Sequence, residues 1–175
     1  MLRLVKTPAD TNLLMGFETG DDASVVALDD QRGLVSTVDI FTPIVDDPYV
    51  FGQIAAANSL SDIYAMGGKP LTGLSILCYP SERFSPDIPA KIIQGAVDVA
   101  ADAGMSIGGG HTVKSSETMF GLSVSGLVSL EHIKANRGGK PGDLLLLTKP
   151  VGTGLMYTGL KRGLSVEMAK LVQSM

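Results

Sequence analysis

Apolar residues fall along the chain in short blocks whose period changes from two to about 3.6 and back. The blocks Ala23-Ser24-Val25-Val26-Ala27-Leu28 and Leu34-Val35-Ser36-Thr37-Val38-Asp39-Ile40-Phe41 flank the polar turn Asp29 to Gly33 and predict a β-hairpin. The stretch before them, residues 1–20 with Pro8, Asn12 and Gly16, reads as loop. Asp47-Pro48 predicts a helix start, because an aspartate can accept from the free amides of a first turn and proline suits the first helical position; Gly67-Gly68, with Pro70 beyond, stops it. A helix over 48–66 follows. Leu71 to Tyr79 predicts a strand, Ser85-Pro86 opens a second helix to about Ala103-Gly104, and Met105 to Ile107 predicts a short strand ending at Gly108-Gly109-Gly110. From Met119 to Leu130, Phe120, Leu122, Val124, Gly126 and Val128 alternate with smaller or polar residues, the mark of a long half-buried strand. A polar turn at Asn136 to Gly142 leads to a last predicted strand, Leu144 to Thr148.

This order implies an α+β fold with a mixed, mainly antiparallel sheet and helices packed on one face. Residues 1–150 form the expected domain. The helical patterns at Leu155 to Arg162 and Val166 to Gln173 have no strands of their own to pack on, so 151–175 is expected to be the truncated start of a C-terminal domain. Composition agrees with a folded chain: 45% of the residues are apolar and 18% charged. A net charge of -4 without a basic run argues against nucleic acid as a partner. No apolar stretch nears the ~20 residues of a membrane span and no signal-peptide layout opens the chain, so no membrane association and a cytoplasmic location are expected.

Composition also narrows the chemistry. One cysteine, Cys78, and two histidines, His111 and His132, are too few donors for a nitrogen and sulfur zinc site, so a bound metal is expected on carboxylates. Three carboxylate positions stand out: Asp21-Asp22 before the first hairpin strand, Asp39 inside the second, and Asp62 in the helix. An aspartate in an apolar strand is costly to bury unless it is hydrogen-bonded, paired or metal-bound. Asn58 and Asp62 are one helical turn apart and share a face lined by small residues. Magnesium takes hard oxygen ligands, often one or two carboxylates plus substrate phosphate oxygens, which suits Asp22, Asp39 and Asp62. On the residues alone, solvated or backbone-bonded aspartates explain each position as well. Gly108-Gly109-Gly110-His111-Thr112 suggests part of an anion cradle, although a glycine turn with a satisfied histidine is the commoner arrangement. The pattern is neither a P-loop nor a dinucleotide fingerprint.

These pieces, in order, resemble the selenophosphate synthetase (selenide, water dikinase) family, within the superfamily of aminoimidazole ribonucleotide synthetase. The segments that carry the resemblance run from Phe17 to Ala23, from Ser36 to Tyr49 with its Phe41-Thr42-Pro43-Ile44-Val45-Asp46-Asp47-Pro48 core, and from Ala55 to Pro70 with Ser61-Asp62-Ile63-Tyr64-Ala65-Met66-Gly67-Gly68. Gly109 to Thr112 and Leu147 to Pro150 complete it. The resemblance implies a reaction that turns selenide, ATP and water into selenophosphate, AMP and phosphate. It implies magnesium on Asp22, Asp62 and Asp39, and ATP contacts from Thr19, Gly20, Asp21, Asp39 and Asp62. It further implies a homodimer with a β-barrel-like interface, in which Gly110, His111 and Thr112 reach the nucleotide of the partner subunit.

Two departures accompany the resemblance. The family's glycine-rich loop with a Cys or selenocysteine and a Lys has no counterpart before Asn12, and the family's C-terminal domain is not seen. No catalytic residue is therefore assigned, and the chain alone is expected not to complete the reaction. Another ATP-dependent kinase or synthetase of the superfamily, or a non-catalytic dimer module, stays open at this point.

Overall fold

The computed structural model describes residues 10–82 and 85–149, with 151, 152, 154, 155, 159 and 163 beyond them. The helical patterns expected after residue 154 lie for the most part outside the described residues. Six strands and two helices follow one another as β1 (Leu13–Met15), β2 (Ser24–Ala27), β3 (Arg32–Phe41), α1 (Pro48–Ala65), β4 (Lys69–Tyr79), α2 (Asp87–Asp102), β5 (Ser106–Lys114) and β6 (Met119–Ser129).

The strands form one sheet in the order β1-β2-β3-β6-β4-β5. Only β4 and β5 run parallel, joined by α2 as a crossover; the other neighbours are antiparallel. The expected mixed, mainly antiparallel sheet is what forms. It is open, with β1 and β5 as its edges, so no barrel closes among the described residues.

α1 begins where its local chemistry dictates. Asp47 Oδ1 accepts from the amides of Tyr49 (2.8 Å) and Val50 (3.0 Å), and Pro48 takes the first helical position. α2 clamps onto α1 through the Tyr49 hydroxyl, which donates to Asp98 Oδ2 at 2.6 Å, while Gln94 Nε2 donates to Asp98 Oδ1 at 2.7 Å. Under the helices the core joins Phe51, Ala55, Ala56, Leu60 and Ile63 of α1 to Val35, Leu77, Phe120, Leu122 and Val124 of the sheet. Phe51 stands edge-on between Phe41 and Phe120, with centroids 5.7 and 6.3 Å away.

Three expectations are corrected. Leu13–Met15, read as loop, is a short strand that pairs with β2. The short strand expected at 105–107 runs on to Lys114, because β4 supplies a parallel partner on both sides of an irregularity at Gly108-Gly109. Leu144 to Thr148, expected as a strand, is exposed chain without a ladder, with Leu145 97% exposed. β-propensity makes a strand only when a neighbour offers hydrogen bonds, and among the described residues none does so there.

No described residue covers the face of the sheet away from the helices. Val38 (57% exposed), Ile40, Leu74 (51%) and Val113 lie on it. The register sets Val38 and Leu74 on either side of Ser123, so one row across this face carries two exposed apolar side chains flanking a serine.

Candidate functional site

The acidic residues converge at one end of β3. Asp39 is in β3 and Asp62 in α1, while Asp21 and Asp22 close the loop between β1 and β2. Helix and strand are held in register by Ser59, a fully buried hydroxyl that donates to Ala55 O (3.1 Å) and accepts from the Leu122 amide (3.3 Å) of β6. Leu122 pairs with Asp39 across the ladder, so this contact fixes the height of α1 over the acidic strand. Gly121, one step away, lets β6 approach β3: a Cβ there would stand 2.7 Å from the Asp39 carbonyl carbon.

Each of three carboxylates meets a neutral donor. Thr37 Oγ1 donates to Asp62 Oδ2 at 2.6 Å, Asn58 Nδ2 donates to Asp39 Oδ2 at 2.6 Å, and Asn136 Nδ2 donates to Asp22 Oδ2 at 3.2 Å. No ion pair among the described residues engages Asp22, Asp39 or Asp62. The Asp62 carboxyl is held above its ordinary pKa, first by burial and then by the negative charges of Asp39 and Asp22; the Thr37 hydroxyl works in the opposite direction. The three aspartates thus share one field.

Asp21 is bound differently. Its Oδ1 accepts from the Asn136 amide at 2.6 Å, and this bond is the main reason its carboxyl titrates below the ordinary range. The Thr19 hydroxyl gives its proton to Gly16 O (3.1 Å), and Asp21 Oδ2 is buried without a donor. Gly20 takes φ 67°, the left-handed turn that brings Asp21 and Asp22 round to the sheet. A cavity of about 980 Å³ opens beside this loop; Thr19, Gly20, Asp21, Asp22 and Thr37 line it together with Phe17, Ser36, Val38 and Ser123, so it reaches onto the sheet face away from the helices. Asp39 and Asp62 adjoin it through Thr37 rather than lining it.

The donor set fits a hard divalent cation: all oxygens, a shared negative field, no ion pair on Asp22, Asp39 or Asp62 among the described residues, and a buried Asp21 Oδ2 without a donor; Arg137 bears on Asp21 by charge alone. It is also an open set. Among the described residues no three acidic, histidine or cysteine side chains are gathered closely enough to enclose a metal by themselves. Magnesium is suited to such a place, since it keeps several waters and takes phosphate oxygens beside one or two carboxylates.

Gly110, His111 and Thr112 lie elsewhere. They are exposed on the edge strand β5, and His111 pairs with Ile76, which lies in register with Gly121 and then Ile40. Three strand spacings, about 14 Å, therefore separate His111 from the acidic strand, on the uncovered face of the sheet. A single chain does not bring them to the aspartates. Thr37 and Asn136, absent from the sequence-based site, belong to it.

The profile of the AIR synthase related protein N-terminal domain matches residues 20–128. The chain belongs to this family. The match takes in Asp21, Asp22, Asp39, Asn58 and Asp62. Among curated relatives, selenide, water dikinase 2 of Peptoclostridium acidaminophilum is 53% identical over 152 residues, 87% of this chain and 44% of that protein. Selenide, water dikinase of Clostridioides difficile (strain 630) is 51% identical over 162 residues, 93% of this chain and 46% of that protein. The crystal structure of tt0281 from Thermus thermophilus superposes with a TM-score of 0.73 at 27% identity, over 88% of this chain and 51% of that one. The chain thus spans a little under half the length of the curated relatives it matches. No helix among the described residues is long and apolar enough to cross a membrane.

Proposed function

We propose that this chain is the ATP- and magnesium-holding half of a selenophosphate synthetase, an enzyme that makes selenophosphate, AMP and phosphate from selenide, ATP and water. The observation that carries the reading is the trio Asp22, Asp39 and Asp62, each held by a neutral donor and, among the described residues, none by a cation. The names of relatives at about half identity agree with it.

When bound, magnesium would neutralise charge on the polyphosphate as phosphoryl groups transfer. Asp22, Asp39 and Asp62 would hold it. Thr37, Asn58 and Asn136 keep those carboxylates pointed while leaving their charge intact. Thr19, Gly20 and Asp21 border the cavity where the nucleotide would lie. We also propose that two copies pair through the uncovered sheet face, which would carry Gly110, His111 and Thr112 toward the partner's nucleotide and build the barrel-like interface.

A segment exchange tests the function. Residues 12–154 replace the matching stretch of the Peptoclostridium relative, and selenide-dependent formation of selenophosphate and AMP is followed by phosphorus NMR. Product from the chimera, lost on Asp22→Asn, is the expected result. A folded chimera that makes none contradicts the assignment.

A further inference from the structure

The loop Thr19–Asp22 supplies acidic groups to the site but has no regular structure of its own, so something must place it. Thr19 closes the turn locally on Gly16 O, and three further hydrogen bonds, all from one residue, tie the loop to the rest of the fold: the Asn136 amide to Asp21 Oδ1 (2.6 Å), and Asn136 Nδ2 to Asp22 Oδ2 (3.2 Å) and to Gly20 O (3.4 Å). The residues around Asn136 are themselves anchored. Ile133 and Ala135 pack against the core, and the Lys134 amide donates to Met66 O at 3.1 Å, at the C-terminal end of α1. α1 is the helix that carries Asn58 and Asp62.

We propose that Asn136 is a positioning residue: it ties the acidic loop to the frame of α1, so that Asp21 and Asp22 face Asp39 and Asp62 before any cation arrives. The inference rests on the magnesium and nucleotide reading above. The chemistry of the side chain suits the task. A primary amide has two protons, which reach Gly20 O and Asp22 Oδ2 together, and it is neutral. A lysine or arginine in its place would form an ion pair with Asp22 and compete with the metal for the same oxygens. Serine has one proton on a shorter arm and satisfies at most one of the two acceptors. Thr37 and Asn58 orient Asp62 and Asp39 in the same uncharged manner.

The test uses the whole chain, its Asn136→Ala variant and, should that variant fold poorly, Asn136→Ser. Magnesium is titrated at fixed ATP by calorimetry, and exchange of the Gly20 to Ala23 amides is followed without ligand. Loss of the side-chain bonds is expected to raise the magnesium concentration needed for half-maximal ATP binding about tenfold. Affinity at saturating magnesium should change far less, and the ligand-free thermal midpoint should move by no more than about 2 °C, as for an exposed substitution. The loop amides should exchange faster in the variant. A lowered thermal midpoint with an unmoved magnesium requirement would reduce Asn136 to a folding role and overturn the proposal. Unchanged amide exchange overturns it as well, whether or not ATP binds. Failure of the unmodified chain to bind ATP with magnesium, with the loop loosened in the variant, counts instead against the functional reading.

Discussion

Gly121→Ala places one methyl group where β3 and β6 meet beside Asp39. The added Cβ would stand 2.7 Å from the Asp39 carbonyl carbon, 2.9 Å from Ile40 Cα and nearer still to the Asp39 oxygen, where ordinary contact begins at 3.4 Å. These are backbone atoms of a paired strand and cannot rotate aside, so β3 must draw back locally. Two ladder bonds weaken at about 1 kcal/mol each, overpacking adds about 1–3 kcal/mol, and alanine's gain over glycine in a strand returns about 0.5–1 kcal/mol. The expected loss is about 2–4.5 kcal/mol. Read by circular dichroism in urea, with a slope of about 2 kcal/mol per molar, that is a fall in midpoint of about 1–2 M. Ser125→Ala, four residues along the same strand, should stay within about 0.5 kcal/mol of the parent. The shift also draws Asp39 from the Asn58 amide that holds it at 2.6 Å, so magnesium-dependent ATP binding should weaken in the folded variant. A Gly121→Ala protein with the parent's urea midpoint would show that the close approach is not what sets the acidic strand.

Tyr49→Phe removes the hydroxyl that, ahead of the Gln94 amide, holds the Asp98 carboxyl below its ordinary value of 3.8. A depressed carboxyl pKa stabilises the fold above the unfolded value and loses that contribution as pH falls through the folded one. The parent's advantage over the variant should therefore be full at pH 6 and shrink on acidification below the ordinary value, a trend that thermal melts at stepped pH will report. Leu74→Asp puts a charge beside Val38 on the face through which we propose that two copies pair, and sedimentation should then show less dimer than the parent; an equal share of dimer would place the interface elsewhere.

Where a signal was local, the sequence revealed the fold. Asp47-Pro48 and Gly67-Gly68 bracket α1 almost to the residue, and the alternation from Phe120 to Val128 marks β6. Where an element exists because of its neighbour, the sequence misled. β5 runs on past the glycines because β4 pairs with it again from Gly110, and four leucines from Leu144 made no strand for want of a partner among the described residues. The site divides in the same way. Asp39 is conspicuous in an apolar strand, and the spacing of Asn58 and Asp62 puts them on one face. Thr37 is an ordinary strand residue until its hydroxyl is seen on Asp62. Asn136 looks like a turn residue, and its bond to Asp21 spans 115 positions, beyond the reach of any local pattern.

Calorimetric titration of ATP into this chain and its Asp62→Ala variant, each with and without magnesium, bears most directly on the acidic trio as a metal and nucleotide site. Binding that requires magnesium in the parent and disappears in the variant is the expected result. Equal binding by both proteins, or binding by the parent that is indifferent to magnesium, would contradict it.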